Sequence, residues 1–295
     1  MALSAEFKAH LAGAASTVCR CWALTRRDGV VLGFTDHDVT LNFDGIAFVA
    51  DSGMSARALE QTTGLAVDNS EALGILSHSA VTEADVLAGR YDGAQVQAWL
   101  VNWADVTQRT VLFGGTTGEI QRSAGAFQAE LRGLTEALNQ PQGRIYQKSC
   151  PAVLGDARCG FDLAQAGYGT SLAVENISDG KILHFAALAG FEDRWFERGR
   201  LVVESGVAAG LTAIVKNDRL SDTGRDIELW QALRADLAVG DMVRIEAGCD
   251  KRADTCRLKF NNLTNYRGFP ALPGEDWQIS VPKRDGVNDG GSLNS

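Results

Sequence analysis

Leu41-Asn42-Phe43-Asp44-Gly45-Ile46-Ala47-Phe48-Val49 sets two short apolar runs on either side of an Asp-Gly pair. Asp-Gly readily takes the two positive φ angles of a tight turn, so the segment reads as a β-hairpin. The same grammar extends outward. Val18 to Leu24 alternates, Arg27-Asp28-Gly29 can turn, and Val30 to Thr35 returns. Gln95 to Val101, Thr110 to Phe113, Gly118 to Gln121 and Phe127 to Leu131 read as further strands, with Gly114-Gly115 and Gly125 as breaks between them. Thr82-Glu83-Ala84-Asp85 ahead of Val86-Leu87 suits a short capped helix, and residues 1–15 read as a short amphipathic helix rather than a signal peptide.

The polar run Asn139 to Gly143 breaks this pattern, and a second β-rich region follows. Its strands are expected at Tyr168 to Glu175, Arg200 to Val203, Leu211 to Lys216, Arg225 to Leu229 and Asp241 to Ala247, with a short helix at Trp230 to Leu233. Ala238-Val239-Gly240-Asp241 feeds the last strand through a turn, as small barrels often do. The fold class is therefore mainly β with minor α+β content. Residues 1–143 are expected to form one β-rich domain, 144–284 a second, barrel-like one, and 285–295, rich in Gly, Asn, Asp and Ser, a flexible tail.

The chain has 295 residues, 45% of them hydrophobic and 22% charged, as in ordinary globular proteins. No apolar run is long enough to span a bilayer. A net charge of -9 argues against a simple electrostatic duplex binder. Gly114-Gly115 lacks the Gly-Lys-Ser/Thr ending of a P-loop.

Six cysteines carry the remaining signal. Cys19 and Cys21 share one face of a strand and read as small core residues, with a Cys-x-Cys metal hook as the lesser reading. Cys150 and Cys159 sit in one Gly- and Asp-containing loop; Cys249 ends a strand, and Cys256 follows the polar loop Asp250 to Thr255. Two loops at opposite ends of the second domain can clamp one centre. Zinc ligand pairs are usually closer together than these, and the longer loops suit a four-iron cluster whose cysteines bind different irons, but zinc stays open on spacing alone. Disulfides conflict with a reducing cytoplasm.

Other chemistry is weaker. Asp36-His37-Asp38 resembles a catalytic fragment, yet neighbours in a strand face opposite ways, so a turn role is the simpler reading. His78 and His184 are isolated, and no pattern makes Cys150 a nucleophile paired with His184. Trp99, Trp103, Trp195, Phe196 and Trp230 read as core, with some left for partner surfaces.

Cys256-Arg257-Leu258-Lys259-Phe260-Asn261-Asn262, Asn265-Tyr266-Arg267-Gly268-Phe269-Pro270 and Leu272-Pro273-Gly274, taken with Cys150, Gly155-Asp156, Cys159-Gly160 and Cys249, resemble the tail hub (tail-tip) proteins of siphophages, prophages and alphaproteobacterial gene transfer agents. Gly33-Phe34-Thr35-Asp36-His37-Asp38 resembles a segment near the start of that family. The resemblance implies a virion protein at the tail tip, assembled in the bacterial cytoplasm. It implies a structural homo-oligomer, a trimer, between the distal tail protein and a larger baseplate or tail-fibre-type protein, with DNA only as passing cargo. It also implies a [4Fe–4S] cluster on Cys150, Cys159, Cys249 and Cys256 (zinc being the alternative) and no catalysis. A zinc-stapled binding module and a redox or Lewis-acid enzyme are the rival functions.

Overall fold

In a computed structural model, residues 3–50, 74–76, 81–123, 126–133, 143–186, 188 and 190–273 are described. His78, Gly125, Gly274 and the expected tail 285–295 lie outside them. The chain divides between Gln142 and Gly143 into two compact units.

The first unit opens with helix α1 (Ala5–Leu11), whose Ser4 side chain accepts from the Phe7 N–H. Its strands are β1 (Val18–Thr25), β2 (Val31–Thr35), β3 (Leu41–Phe43), β4 (Ile46–Val49), β5 (Gly74–Leu76), β6 (Gln95–Asn102), β7 (Arg109–Ser123) and β8 (Ala126–Gly133). They form one sheet in the order β3-β4-β2-β1-β6-β7-β8-β5. The turn between β3 and β4 has φ of 51° at Asp44 and 75° at Gly45, as the Asp-Gly pair demands. Helix α2 (Glu83–Leu87) is capped by the Thr82 hydroxyl, which accepts from the Asp85 N–H.

All neighbours in this sheet run antiparallel except β2 and β4, which are parallel. A side chain at Gly33 would put its Cβ 2.4 Å from the Ala47 carbonyl oxygen, so only glycine lets β4 come this close. Apolar side chains cover both faces of the central strands. Cys19, Cys21 and Ala23 join Phe43, Phe48 and Trp99 on one side. Trp22 and Leu24 join Phe34, Tyr91 and Phe113 on the other. Two strands expected on either side of Gly114-Gly115 are in fact one continuous strand, β7. Glycine here lets a neighbour come close rather than breaking the strand: a Cβ at Gly115 would sit 2.2 Å from the Arg132 carbonyl oxygen of the paired β8.

The second unit contains β9 (Gly169–Ala173), β10 (Asn176–Ser178), β11 (Ile182–Phe185), β12 (Arg200–Val203), β13 (Thr212–Ser221), β14 (Gly224–Leu229), β15 (Met242–Glu246) and helix α3 (Ala253–Leu258). The sheet order is β10-β11-β14-β13-β12-β15-β9, antiparallel throughout. Its two edges, β9 and β10, are joined by only Val174 and Glu175. A flat sheet of this width would hold those edges about 29 Å apart at roughly 4.8 Å per strand. Two linking residues reach only about 11 Å. The sheet must curl, and a register shift between Val215 and Asn217 bends β13 where it turns. The chain is mainly β, as expected.

Phe185, Phe196, Leu201, Val215, Ile227 and Ile245 fill the concave side. Among them lies Arg225, with no exposed side-chain area, paired by two 2.6 Å contacts to the equally buried Asp218. Arg225 also donates to the Phe191 and Glu192 carbonyls, and Asp218 accepts the Phe196 N–H at 2.7 Å. The expected helix at Trp230 to Leu233 is absent. The Trp230 N–H instead donates to the Ile214 carbonyl, extending the sheet ladder, and a one-turn helix has too few bonds to compete. The hairpin β10–β11 went unread, although its turn residues Asp179 and Gly180 take φ of 53° and 65°, repeating the Asp44-Gly45 signal.

Candidate metal centre

The loop from Cys150 to Cys159 has no regular structure, and Asp156 organises it. Its carboxylate accepts N–H bonds from Cys159 at 2.7 Å and from Val153 and Arg158 at 2.9 Å. These bonds, the Cys159 N–H first, hold the Asp156 carboxyl below its ordinary range. Because that value is depressed, its contribution to stability is complete above the unfolded value of about 3.9 and is lost as pH falls through the folded one. Acidification is therefore expected to release amide protection at Cys159 before the β-sheet core opens. Hydrogen exchange at stepped pH checks this, and simultaneous loss of both would refute it.

The second loop differs from the expectation. Cys249 lies three residues beyond the end of β15, and Cys256 sits in helix α3 rather than after a loop, its N–H bonded to the Arg252 carbonyl. Lys259 anchors this helix to the body of the second unit. Its ammonium donates to the carbonyls of Trp195 at 2.6 Å and Gly248 at 2.9 Å and lies 4.2 Å from the Trp195 ring centroid. Burial lowers its pKa to about 8.

Direct bonds lace the two loops together. The Cys150 N–H donates to the Lys251 carbonyl at 2.9 Å, and the Lys251 ammonium to the Ala152 carbonyl at 2.6 Å. Asn262 donates through Nδ2 to the Cys159 carbonyl at 2.7 Å, while its own N–H bonds the Cys256 carbonyl. The Asn-Tyr-Arg-Gly-Phe-Pro segment straps over the junction. Tyr266 donates to the Lys148 carbonyl at 2.5 Å, Arg267 to the Arg158 carbonyl, and the Phe269 N–H to the Gln147 carbonyl. A Cβ at Gly268 would lie 2.6 Å from the Lys148 carbonyl oxygen, so the strap needs glycine there. Phe161, Tyr168 and Phe260 pack edge and face against one another.

Cys150, Cys159, Cys249 and Cys256 line one pocket with Leu154, Lys251, Arg252, Phe260, Asn262 and Tyr266. Burial raises the thiol pKa of Cys249 and Cys256, and at Cys256 the neighbouring Cys249, Cys159 and Cys150 add to it. Four thiolates this close repel one another unless a positive centre lies among them. Among the described residues no group of three or more His, Cys, Asp or Glu side chains is arranged to hold a metal ion.

The other candidates lie elsewhere. Cys19 and Cys21 are buried in the first unit beside the Thr35 hydroxyl. Asp36-His37-Asp38 lies past the end of β2, not in a strand: Asp36 accepts the Arg20 N–H, His37 Nδ1 accepts the Val39 N–H, and the His37 ring lies 5.0 Å from that of Trp103. His184 pairs with Asp226 at 2.7 Å, and no histidine lines the cysteine pocket among the described residues. Trp99 and Phe196 are core, whereas Trp103 and Trp230 are exposed. Asn262 and Lys259 organise the site although the sequence assigns them no role; both lie in the Cys256 to Asn262 motif that carries the family resemblance.

Comparison with known proteins agrees with this architecture. Residues 4–162 match the family model described as "Baseplate hub protein, N-terminal attachment domain", which reaches past Cys150 and Cys159. Residues 194–276, with Cys249 and Cys256, match "Phage conserved hypothetical protein BR0599". No curated protein matches. A chain in a solved structure titled "Virion of native gene transfer agent (GTA) particle" is 62% identical, superposes with a TM-score of 0.89, and is matched over 98% of this chain and 100% of its own. The chain thus belongs to the baseplate hub proteins that share this N-terminal attachment domain.

Proposed function

We propose that this protein is a structural hub at the tail tip of a gene transfer agent particle, and that Cys150, Cys159, Cys249 and Cys256 hold a [4Fe–4S] cluster that staples its second unit. Family membership and the 62% identity to a chain of such a virion support the first half. The convergence of four cysteines from two distant loops on one pocket carries the second. The donor set fits the group: four thiols give each iron of a cubane one ligand, Lys251 and Arg252 supply positive charge, and Leu154 and Phe260 keep one wall apolar. A bound cluster would tie the two ends of the unit together and offset the entropy of ordering loops that contain little regular structure.

On this reading the role is mechanical, not catalytic. The first unit builds a homo-oligomeric ring, a trimer, against the distal tail protein. The second meets a larger baseplate protein, and DNA only passes through. Protein purified without air is expected to be brown, to carry iron and inorganic sulfide, and to bleach with dithionite. Zinc in place of iron would leave the staple and remove the cluster. Neither metal would refute the centre.

A further inference from the structure

The cysteine end of the second unit differs in charge from the rest of the molecule. Segments 143–160 and 249–273 hold eight Lys and Arg against three Asp, a net of +5 on a chain of net -9. Five of the eight are arginines, Arg144, Arg158, Arg252, Arg257 and Arg267, and all five are exposed. Large apolar side chains stand among them: Ile145 is 81% exposed, Leu258 77%, Tyr146 71% and Val153 67%, with Leu263 and Phe269 also exposed. The strap makes this one surface, since it pins 147–148 and Arg158 to 266–269 and brings the Tyr146 ring to 4.8 Å from Phe269.

We infer that this surface is a docking face for a different protein, one that presents carboxylates around an apolar depression. Arginine and aromatic anchors together are the composition of a protein interface core. A nucleic-acid face would need the cations but not the aliphatic anchors. A two-fold contact between copies would set the +5 face against itself. The inference rests on the hub reading and adds the surface and the partner's chemistry to it.

The test uses whole particles carrying the full chain, with p-benzoylphenylalanine at position 145 or 258 and, as control, at the exposed Val239. Irradiation and mass spectrometry should give adducts from 145 and 258 to an Asp- and Glu-rich peptide of another particle protein, and none from 239. An Arg144→Glu chain should enter particles at least about tenfold less (roughly 1.4 kcal/mol) with an unchanged melting curve. Adducts to a second copy or to DNA would overturn the inference. So would silence at 145 and 258 in particles that contain the chain. Wild-type chain absent from the particles would sink the hub reading as well.

Discussion

On the proposed cluster reading, a Cys256→Ser chain is expected to lose its iron and to melt roughly 10 °C or more lower in its second unit, while the transition of the first unit stays put. Cys256 is buried in helix α3, and its sulfur lies within hydrogen-bonding reach of the Asn262 carbonyl at 3.3 Å. Serine keeps the size of the side chain but replaces a soft thiolate with a hard oxygen, which binds iron or zinc far more weakly. The free energy of binding a structural centre is folding free energy, so losing one ligand is felt by the whole unit. Calorimetry and elemental analysis on the same sample read both effects. Cys19→Ser is the control. That thiol is buried in the first unit beside Thr35, so its loss should disturb the first transition and leave the metal untouched. Equal metal content and equal melting in Cys256→Ser would end the staple account.

Arg225→Met should be comparably damaging for a different reason. The guanidinium sits in the core of the second unit, bound through two nitrogens to Asp218, capped by two carbonyls and 4.9 Å from the Phe196 ring centroid. Removing it leaves the Asp218 carboxylate buried without a counter-charge, at a cost of about 3–5 kcal/mol. For a unit of this size that is again roughly 10 °C. The double change Arg225→Met with Asp218→Leu should recover much of the loss, because the stranded charge goes too. Urea melts of the single and double variants separate the stranded-charge cost from lost packing. A double variant no better than the single one would show that the carbonyl bonds, not the charge, hold the segment from Phe191 to Phe196.

The two experiments also separate two ways of holding the second unit. Arg225 ties the segment from Phe191 to Phe196 to the sheet from the core side. Lys259 reaches the same stretch from the cysteine side through the Trp195 carbonyl. Loss of the proposed metal centre and loss of the ion pair should therefore act on one shared segment, with effects on stability that do not add.

Local chemistry was readable along the chain. Asp44-Gly45 specified its hairpin because few other pairs take two positive φ angles at low cost, and Thr82 marked a helix start because its hydroxyl can replace a missing backbone acceptor. Asp179-Gly180 carried the same hairpin signal and could have been read. Cys19 and Cys21 fell on one buried face because strand periodicity allows no other outcome. Gly114-Gly115 is ambiguous in sequence, because a glycine pair can break a strand or let a paired strand approach closely, and only the carbonyl of Arg132 decides which. The grouping of Cys150 and Cys159 with Cys249 and Cys256 in one pocket is tertiary. Residues so far apart in sequence meet because a curled sheet returns the chain to its starting edge, and no local pattern encodes that closure. The burial of Arg225 belongs to the same class: an arginine on a strand reads as exposed until the fold places Asp218 and two loop carbonyls around it.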